Sequence, residues 1–237
     1  MKKLTGKWAL VTGSTRGIGW QVAQGLAQHG CKIILHGRNE EACQKRAAEL
    51  QALGIETFCA PGDLADSKGV ESVIEVIRNA GISPDILYNN AGSAECWKDE
   101  SFLIPRNDWE KLFSINLFAL VRLCSAFAPE MKKKGWGRIV NVSSGIKDVP
   151  QLAPYGASKA AVDKYTQDLA FELKDTGVLV NYLDPGWLKT DLGGEHADFE
   201  VETVLPGALI PVLQDDRGET ARLFKAQDLR GLSIEST

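Results

Sequence analysis

Trp8-Ala9-Leu10-Val11-Thr12-Gly13-Ser14-Thr15-Arg16-Gly17-Ile18-Gly19 decides the fold of this chain. Trp8–Thr12 is short and apolar, as a buried strand is. A glycine-rich turn follows, and residues 17–29 read as a helix. A strand that feeds a helix through such a turn is the opening unit of a parallel α/β sheet. Ligands bind these sheets beyond the carboxyl ends of the strands. Glycines there let backbone N–H groups approach a pyrophosphate closely, and the helix N-terminus adds partial positive charge. The spacing is G-x-x-x-G-x-G, and its place between strand and helix gives it meaning.

The alternation continues outward from this turn. Lys32–His36 is a second strand. Asn39 is a plausible N-cap, with Glu40 and Glu41 in a first turn where the helix dipole favours acids. That helix runs to about Leu53, where Gly54 stops it. Ile55–Ala60 is a third strand, followed by a helix from Asp66 to Ala80. Asp85–Tyr88 is a fourth strand. A long helix covers about 107–133, with Pro129 expected to kink or divide it. Arg138–Ser143, a helix from about Pro154 to Asp175, and Val178–Leu183 complete the pattern. Residues 187–201 look irregular and mobile, and Ala221–Lys225 reads as a last edge strand. Strands alternating with helices predict a doubly wound, Rossmann-like parallel sheet covered on both faces, in a single domain over 1–237. A mobile substrate loop is expected within it at 187–205.

Composition bounds the function. The chain has 237 residues, 44% hydrophobic and 24% charged, with a formal net charge of -4. That mild acidity argues against nucleic acid as a partner. No run approaches the roughly 18 apolar residues of a membrane span. The basic start, Met1-Lys2-Lys3, is not read as a signal peptide, because Gly6 and Lys7 break its apolar run. Cysteines 31, 43, 59, 96 and 124 are odd in number and show no C-x-x-C spacing, which suggests reduced thiols in the cytoplasm. His29, His36 and His196 lack ligand spacing, so no metal site is expected.

Cofactor type is read from the end of the second strand. In dinucleotide folds an acid about 20 residues past the turn binds the ribose 2′-hydroxyl, whereas an arginine accommodates a 2′-phosphate. Here the sequence is His36-Gly37-Arg38, with no carboxylate. Arg16 and Arg38 are placed to bracket a phosphate, which favours NADP(H). Tyr155 and Lys159 are four apart near a helix start and share a face. Ser144 ends the preceding strand and Asn116 lies in the long helix. Each alone is an ordinary turn, packing or surface residue.

Together they resemble the short-chain dehydrogenase/reductases, over about residues 5–191 and in the expected order. The matching segments are Thr12 to Gly19, Gly62-Asp63-Leu64, Asn89-Asn90-Ala91-Gly92, Asn116-Leu117, Gly137 to Ser144, Tyr155-Gly156-Ala157-Ser158-Lys159, and Pro185-Gly186 with Thr190. The resemblance implies that Gly13, Ser14, Thr15, Arg16, Gly17, Ile18 and Gly19 cradle the cofactor. It implies that Asp63 and Leu64 contact its adenine region, that Asn90, Ala91 and Gly92 border it, and that Leu188 and Thr190, just past Pro185 and Gly186, hold the nicotinamide amide. It implies Tyr155 as acid/base, with Lys159 binding the ribose and lowering the Tyr pKa. Ser144, rather than Ser143, steadies the substrate oxygen, and Asn116 holds a water in the proton relay. The Ser144–Tyr155 interval of 11 is about two residues shorter than usual in the family, a change a surface loop tolerates. The tail, Asp215-Asp216-Arg217-Gly218 and Ala221-Arg222-Leu223-Phe224, is closer to carbonyl-reductase-like members than to the usual tetramer-forming end.

The expected function is therefore NADP-dependent hydride transfer to or from a small ketone, aldehyde or secondary alcohol. Competing readings are a 3-oxoacyl-thioester reductase, a non-catalytic NADP-sensing protein and a nucleotide-sugar epimerase. Acids at 191, 195, 198, 200 and 202 disfavour the first, which needs a basic mouth for an acidic carrier protein. The retained Tyr/Lys pair disfavours the second, and the missing C-terminal substrate domain the third. Ile146, Trp187, Leu192 and Phe199 are expected to supply an apolar substrate pocket. At least a dimer is expected, paired through the long helix and the Tyr-bearing helix with its Ala157, Ala160 and Ala161.

Overall fold

A computed structural model describes residues 4–232. Seven parallel strands form one sheet in the order β3-β2-β1-β4-β5-β6-β7. They are β1 (Trp8–Val11), β2 (Lys32–Leu35), β3 (Thr57–Cys59), β4 (Ile86–Asn89), β5 (Gly137–Val142), β6 (Val178–Asp184) and β7 (Leu223–Lys225). The helices are α1 (Gly17–Gln28), α2 (Glu40–Gln51), α3 (Ser67–Asn79), α4 (Arg106–Phe113), α5 (Ala119–Lys134), α6 (Ala153–Glu172) and the short α7 (Ile210–Leu213). The doubly wound architecture matches expectation, and β7 is the expected edge strand, two residues shorter than read from sequence. Chain order reverses between β1 and β4, so the switch-point crevice opens there.

Side-chain alternation along the strands explains the two layers. Ala9, Val11, Ile33, Leu35, Ile86 and Tyr88 face α1 and the 204–213 segment. Leu10, Ile34, Leu87, Ile139 and Val180 face α3, α5 and α6. Asn39 caps α2 as expected, its side chain accepting from Ala42 N at 2.8 Å. Asp66 caps α3 in the same way, from Lys68 N at 3.2 Å.

The long helix departs from expectation in two respects. It runs unbroken past Pro129. Its irregularity lies earlier, in a π-helical turn at Ser114–Phe118 that joins α4 to α5. Arg106–Lys134 is also long and apolar enough to cross a membrane by length and composition, contrary to the reading of the sequence. Half of its most apolar stretch is buried within the fold, where α5 packs on α3 and β5. Its apolar character is thereby accounted for by core packing.

At the far end of the sheet Arg138 is completely buried. Its guanidinium donates to Gly137 O at 2.8 Å and to Asp216 at 3.0 Å, and lies within 3.4 Å of the Gln214 and Asp215 carbonyls. The cation also stacks 4.5 Å from the Trp136 ring. This charge, with Trp136 Nε1 donating to Asp216 at 2.9 Å, ties the tail past α7 to the start of β5.

Candidate active site

The phosphate turn is built by strand ends and fixed from behind. Gly13 and Gly17 have φ of 65° and 56°, a region glycine enters without strain. A Cβ on Gly19 would lie 2.3 Å from Gly13 O, so the first turn of α1 can pack against the loop only without a side chain. Thr12 Oγ1 accepts from Asn90 N at 2.9 Å and Ala91 N at 3.0 Å, and Asn90 Nδ2 donates to Thr12 O at 2.9 Å. These bonds join the β1 and β4 ends across the switch point. Arg16 precedes α1, no side chain caps that helix, and no acid stands in its first turn. Its N-terminus therefore presents backbone N–H groups and dipole to an anion, and the glycine cradle has the room to accept one.

His36 is the residue that sequence reading missed here. It is buried at the end of β2. Its Nδ1 accepts from Gly13 N at 3.0 Å, and its Nε2 lies 3.2 Å from Gly62 O. Those roles fix the tautomer with hydrogen on Nε2. Burial pulls its pKa down to about 4, so the ring is neutral at pH 7. Ser14 Oγ accepts from His36 N at 3.0 Å, which closes the turn onto β2. Ring nitrogens spaced for backbone rather than metal leave no motif in the sequence.

The expected adenine-side residues follow. Arg38 is exposed just past β2. Asp63 is exposed and accepts from Ala65 N at 3.0 Å, while the Leu64 side chain is buried. Arg46, from α2, donates to Thr15 O at 3.0 Å and stacks on Trp20. It therefore buttresses the turn. Arg16 pairs with Asp191 at 2.7 Å. A Cβ on Gly17 would touch the Thr190 methyl at 3.5 Å, so the segment after β6 lies across the turn. Pro185 and Leu188 are buried, and Leu188 joins the core and bridges to Phe199.

Ser144, Tyr155, Lys159 and Asn116 come together beyond β5 and β4. Ser144 lies beside the Tyr155 phenol, and its Oγ accepts from Ile146 N at 3.2 Å. Ser143 is buried and donates to Asp163, which leaves Ser144 as the serine at the phenol. Lys159 is buried, and its Nζ donates to Val142 O at 2.7 Å and lies 5.8 Å from the Tyr155 ring centroid. Burial draws the Lys159 pKa down to about 8. Burial raises the Tyr155 pKa above its ordinary value; the Ser144 hydroxyl beside it opposes this and Asp184 adds to it.

Asn116 sits in the π turn and is almost fully buried. Its Oδ1 accepts from Ser93 N and its Nδ2 donates to Ser93 O, both at 2.9 Å, and Nδ2 also reaches Ser158 Oγ at 3.0 Å. A Cβ on Gly92 would fall 3.1 Å from Asn116 Oδ1 and 3.6 Å from Lys159 Nζ. The π turn thereby locks the 91–93 loop beside the lysine. Of the expected apolar lining, Trp187 and Leu192 are half exposed. Phe199 instead packs on the core under Arg230. Trp97, Phe102 and Leu103, in the loop that approaches Tyr155 through Cys96, are exposed apolar residues that the sequence reading did not single out.

Comparison with known proteins agrees with this geometry. The family model for short chain dehydrogenases matches residues 7–200. Gluconate 5-dehydrogenase of Gluconobacter oxydans is 37% identical over 192 residues, covering 80% of this chain and 74% of that protein. The 3-oxoacyl-[acyl-carrier-protein] reductase of Aquifex aeolicus is 36% identical over 194 residues, covering 80% and 77%. The crystal structure of a gluconate 5-dehydrogenase from Burkholderia cenocepacia, in complex with NADP and tartrate, superposes with a TM-score of 0.75 at 31% identity, covering 98% of this chain and 88% of that one. A glycine cradle at a switch point, a Ser–Tyr–Lys cluster beside it and these likenesses lead to one conclusion: the chain belongs to the short-chain dehydrogenase/reductase family of oxidoreductases, which use a nicotinamide cofactor.

Proposed function

We propose that this enzyme is an NADP-dependent carbonyl reductase that acts on apolar or aromatic ketones and aldehydes and also runs in the alcohol-oxidising direction. The observation that carries the reading is the cluster of Ser144 beside the Tyr155 phenol with Lys159 one helical turn on, its Nζ 5.8 Å from the Tyr155 ring centroid. Arg16 and the exposed Arg38, with no acid after β2, support a 2′-phosphate on the cofactor. The NADP complex of the Burkholderia protein agrees. Exposed Trp97, Phe102, Trp187 and Leu192, in the segments that follow β4 and β6, support an apolar substrate. Two of the five loop acids are paired, Asp191 with Arg16 and Glu200 with Lys189, and the acidity of this loop disfavours an acidic carrier protein.

The bound nicotinamide supplies or accepts the hydride. The protein supplies the rest. Gly13 to Gly19 hold the diphosphate, Asp63 and Leu64 flank the adenine, and Asn90, Ala91, Gly92, Gly186 and Thr190 close the groove. In reduction Tyr155 Oη gives its proton to the oxygen that gains charge. A phenol whose pKa is raised by burial is held in the protonated form this step needs. Ser144 Oγ donates to the same oxygen as its charge grows. For oxidation Lys159 must leave Val142 O and turn its charge toward the phenol, which opposes the effect of burial. Tyr155→Phe should lower kcat by at least ~10²-fold, the low end for a lost general acid, and leave NADPH affinity near normal. Steady-state kinetics with fluorescence titration of NADPH checks both; a variant keeping more than about a tenth of the rate would refute the mechanism.

A further inference from the structure

Read as irregular and mobile from the sequence, residues 187–201 are paired and covered in the structure. Leu188 and Phe199 form a parallel bridge, in which Phe199 N donates to Trp187 O at 3.2 Å and Lys189 N to Phe199 O at 2.8 Å. Lys189 adds an ion pair with Glu200 at 2.5 Å. The cover comes from the 3₁₀ turn at Ala226–Leu229, directly after β7. Ala226 is fully buried, and a Cβ on Gly207 would lie 2.3 Å from its carbonyl oxygen, so the turn has a fixed seat. The Arg230 guanidinium stacks 4.5 Å from the Phe199 ring, and Phe199 and Leu229 pack on the same core layer.

Gln227 in this turn reaches back to the point where the chain leaves β6. Its Nε2 donates to Pro185 O at 2.9 Å, and its Oε1 lies 3.4 Å from Thr203 Oγ1. A Cβ on Gly186 would fall 2.6 Å from Gln227 Cγ, so the side chain rests on the bare glycine. On the same residue, Gly186 N donates to Asp184 at 3.0 Å. Gly186 has φ of 82°, and no side chain of its own resists rotation there. A pivot of that kind keeps one direction only if it is held from outside. Fixing Pro185 O fixes the plane of the Pro185–Gly186 peptide, and with it the path of the next residues.

We propose that Gln227 is a positioning residue for the cofactor groove: it holds Pro185 and Gly186 so that the segment bearing Leu188 and Thr190 is in place before the nicotinamide half of the cofactor arrives. The inference rests on the groove proposed above. A loose segment must be ordered at binding, and the entropy of ordering is subtracted from affinity. A segment already held loses little, and its contacts appear in full as affinity. The hold comes from a residue 42 positions further along the chain. The plain alternative is that Gln227 only fastens the tail. A fastener of that kind affects unfolding stability and leaves ligand affinity alone.

Gln227→Met separates the two, because it keeps the methylene stem on Gly186 and removes the donor to Pro185. The full chain is titrated with NADPH and with 2′,5′-ADP, which carries the adenine and 2′-phosphate end and lacks the nicotinamide half. Gln227→Met should weaken NADPH about three- to tenfold and 2′,5′-ADP by no more than about twofold. With isatin as the carbonyl probe, KM for NADPH should rise while kcat stays within about twofold, the mark of lost uniform binding. In the cofactor-free protein, trypsin should cut after Lys189 faster than in the unmodified chain. Gln227→Glu keeps the shape but cannot donate, so it should weaken NADPH at least as much. An NADPH affinity within about twofold of the original in both variants would overturn the proposal, as would equal weakening of the two ligands or an unchanged rate of cleavage after Lys189. If the unmodified chain binds NADPH no more tightly than 2′,5′-ADP, the groove assignment itself fails; if it binds NADPH more tightly and Gln227→Met matches it, only the role of Gln227 fails.

Discussion

His36 shows what one side chain does for the phosphate turn. The Gly13 N–H has a ring nitrogen as its acceptor, and that nitrogen is available only while the imidazole is neutral. The native pKa of about 4 lies below the ordinary 6.5. As pH falls through 6.5 the unfolded chain takes up a proton that the folded chain refuses. Stability is therefore fully present above pH 6.5, declines toward pH 4 and levels off below, by on the order of 3 kcal/mol from this group. Urea unfolding across that range should show the slope, and His36→Leu should flatten it while costing ~1–3 kcal/mol at pH 7 for the orphaned Gly13 N–H. An unaltered slope in the variant would place the acid sensitivity elsewhere. In the sequence His36 is only the last residue of a strand. Tyr155 and Lys159 were legible because both partners lie within one helical turn. His36 was not, since its partners, Gly13 N and Gly62 O, come from other turns.

Among the elements, the segment after β6 matters most for the cofactor. Arg16 and Asp191 are both about two-thirds exposed, so their 2.7 Å contact is worth at most ~1 kcal/mol. Its position gives it weight. Asp191 occupies the cation that a phosphate needs and adds negative charge beside it. Asp191→Asn should tighten NADPH binding by up to about fivefold, with the gain shrinking as salt rises. Fluorescence titration at low and high ionic strength measures this; weaker binding in the variant would mean that the pair closes over the cofactor instead of competing with it. The long helix gives the complementary lesson. Its span was legible from composition, but its π turn was not. Hydrogen-bond demand from Ser93 and Ser158 on Asn116, and not propensity, marks that site. Pro129, the obvious breaker, left the helix intact.

Across the whole molecule, the layering followed from alternation, because a parallel sheet must bury both faces; the order of its strands came from the structure. Assembly is less visible in the pattern. Phe171 is 82% exposed near the end of α6, and Phe118 is 59% exposed where the π turn meets α5. Aromatic side chains this open on the two helices expected to pair fit a twofold interface. We expect a dimer, and Phe171→Glu should convert it to a 25.8 kDa species by light scattering. An unmodified protein of that mass already at working concentration would contradict the pairing.

Arg138 also sets a timetable. Asp216, its carboxylate partner, lies 78 residues further along the chain. A ribosome adding ~5–20 residues per second makes β5 roughly 4–16 seconds before it makes that partner. Until then a guanidinium destined for complete burial has to stay in water, and the outer half of the sheet has to stay open around it. Among the described residues, β1 to β4 bury no charge against residues past α7; what they take from late in the chain is the apolar cover of the 204–213 segment. The nascent protein is thus expected to mature from its nucleotide-binding half outward, with the catalytic half closing only once the last strand has left the tunnel.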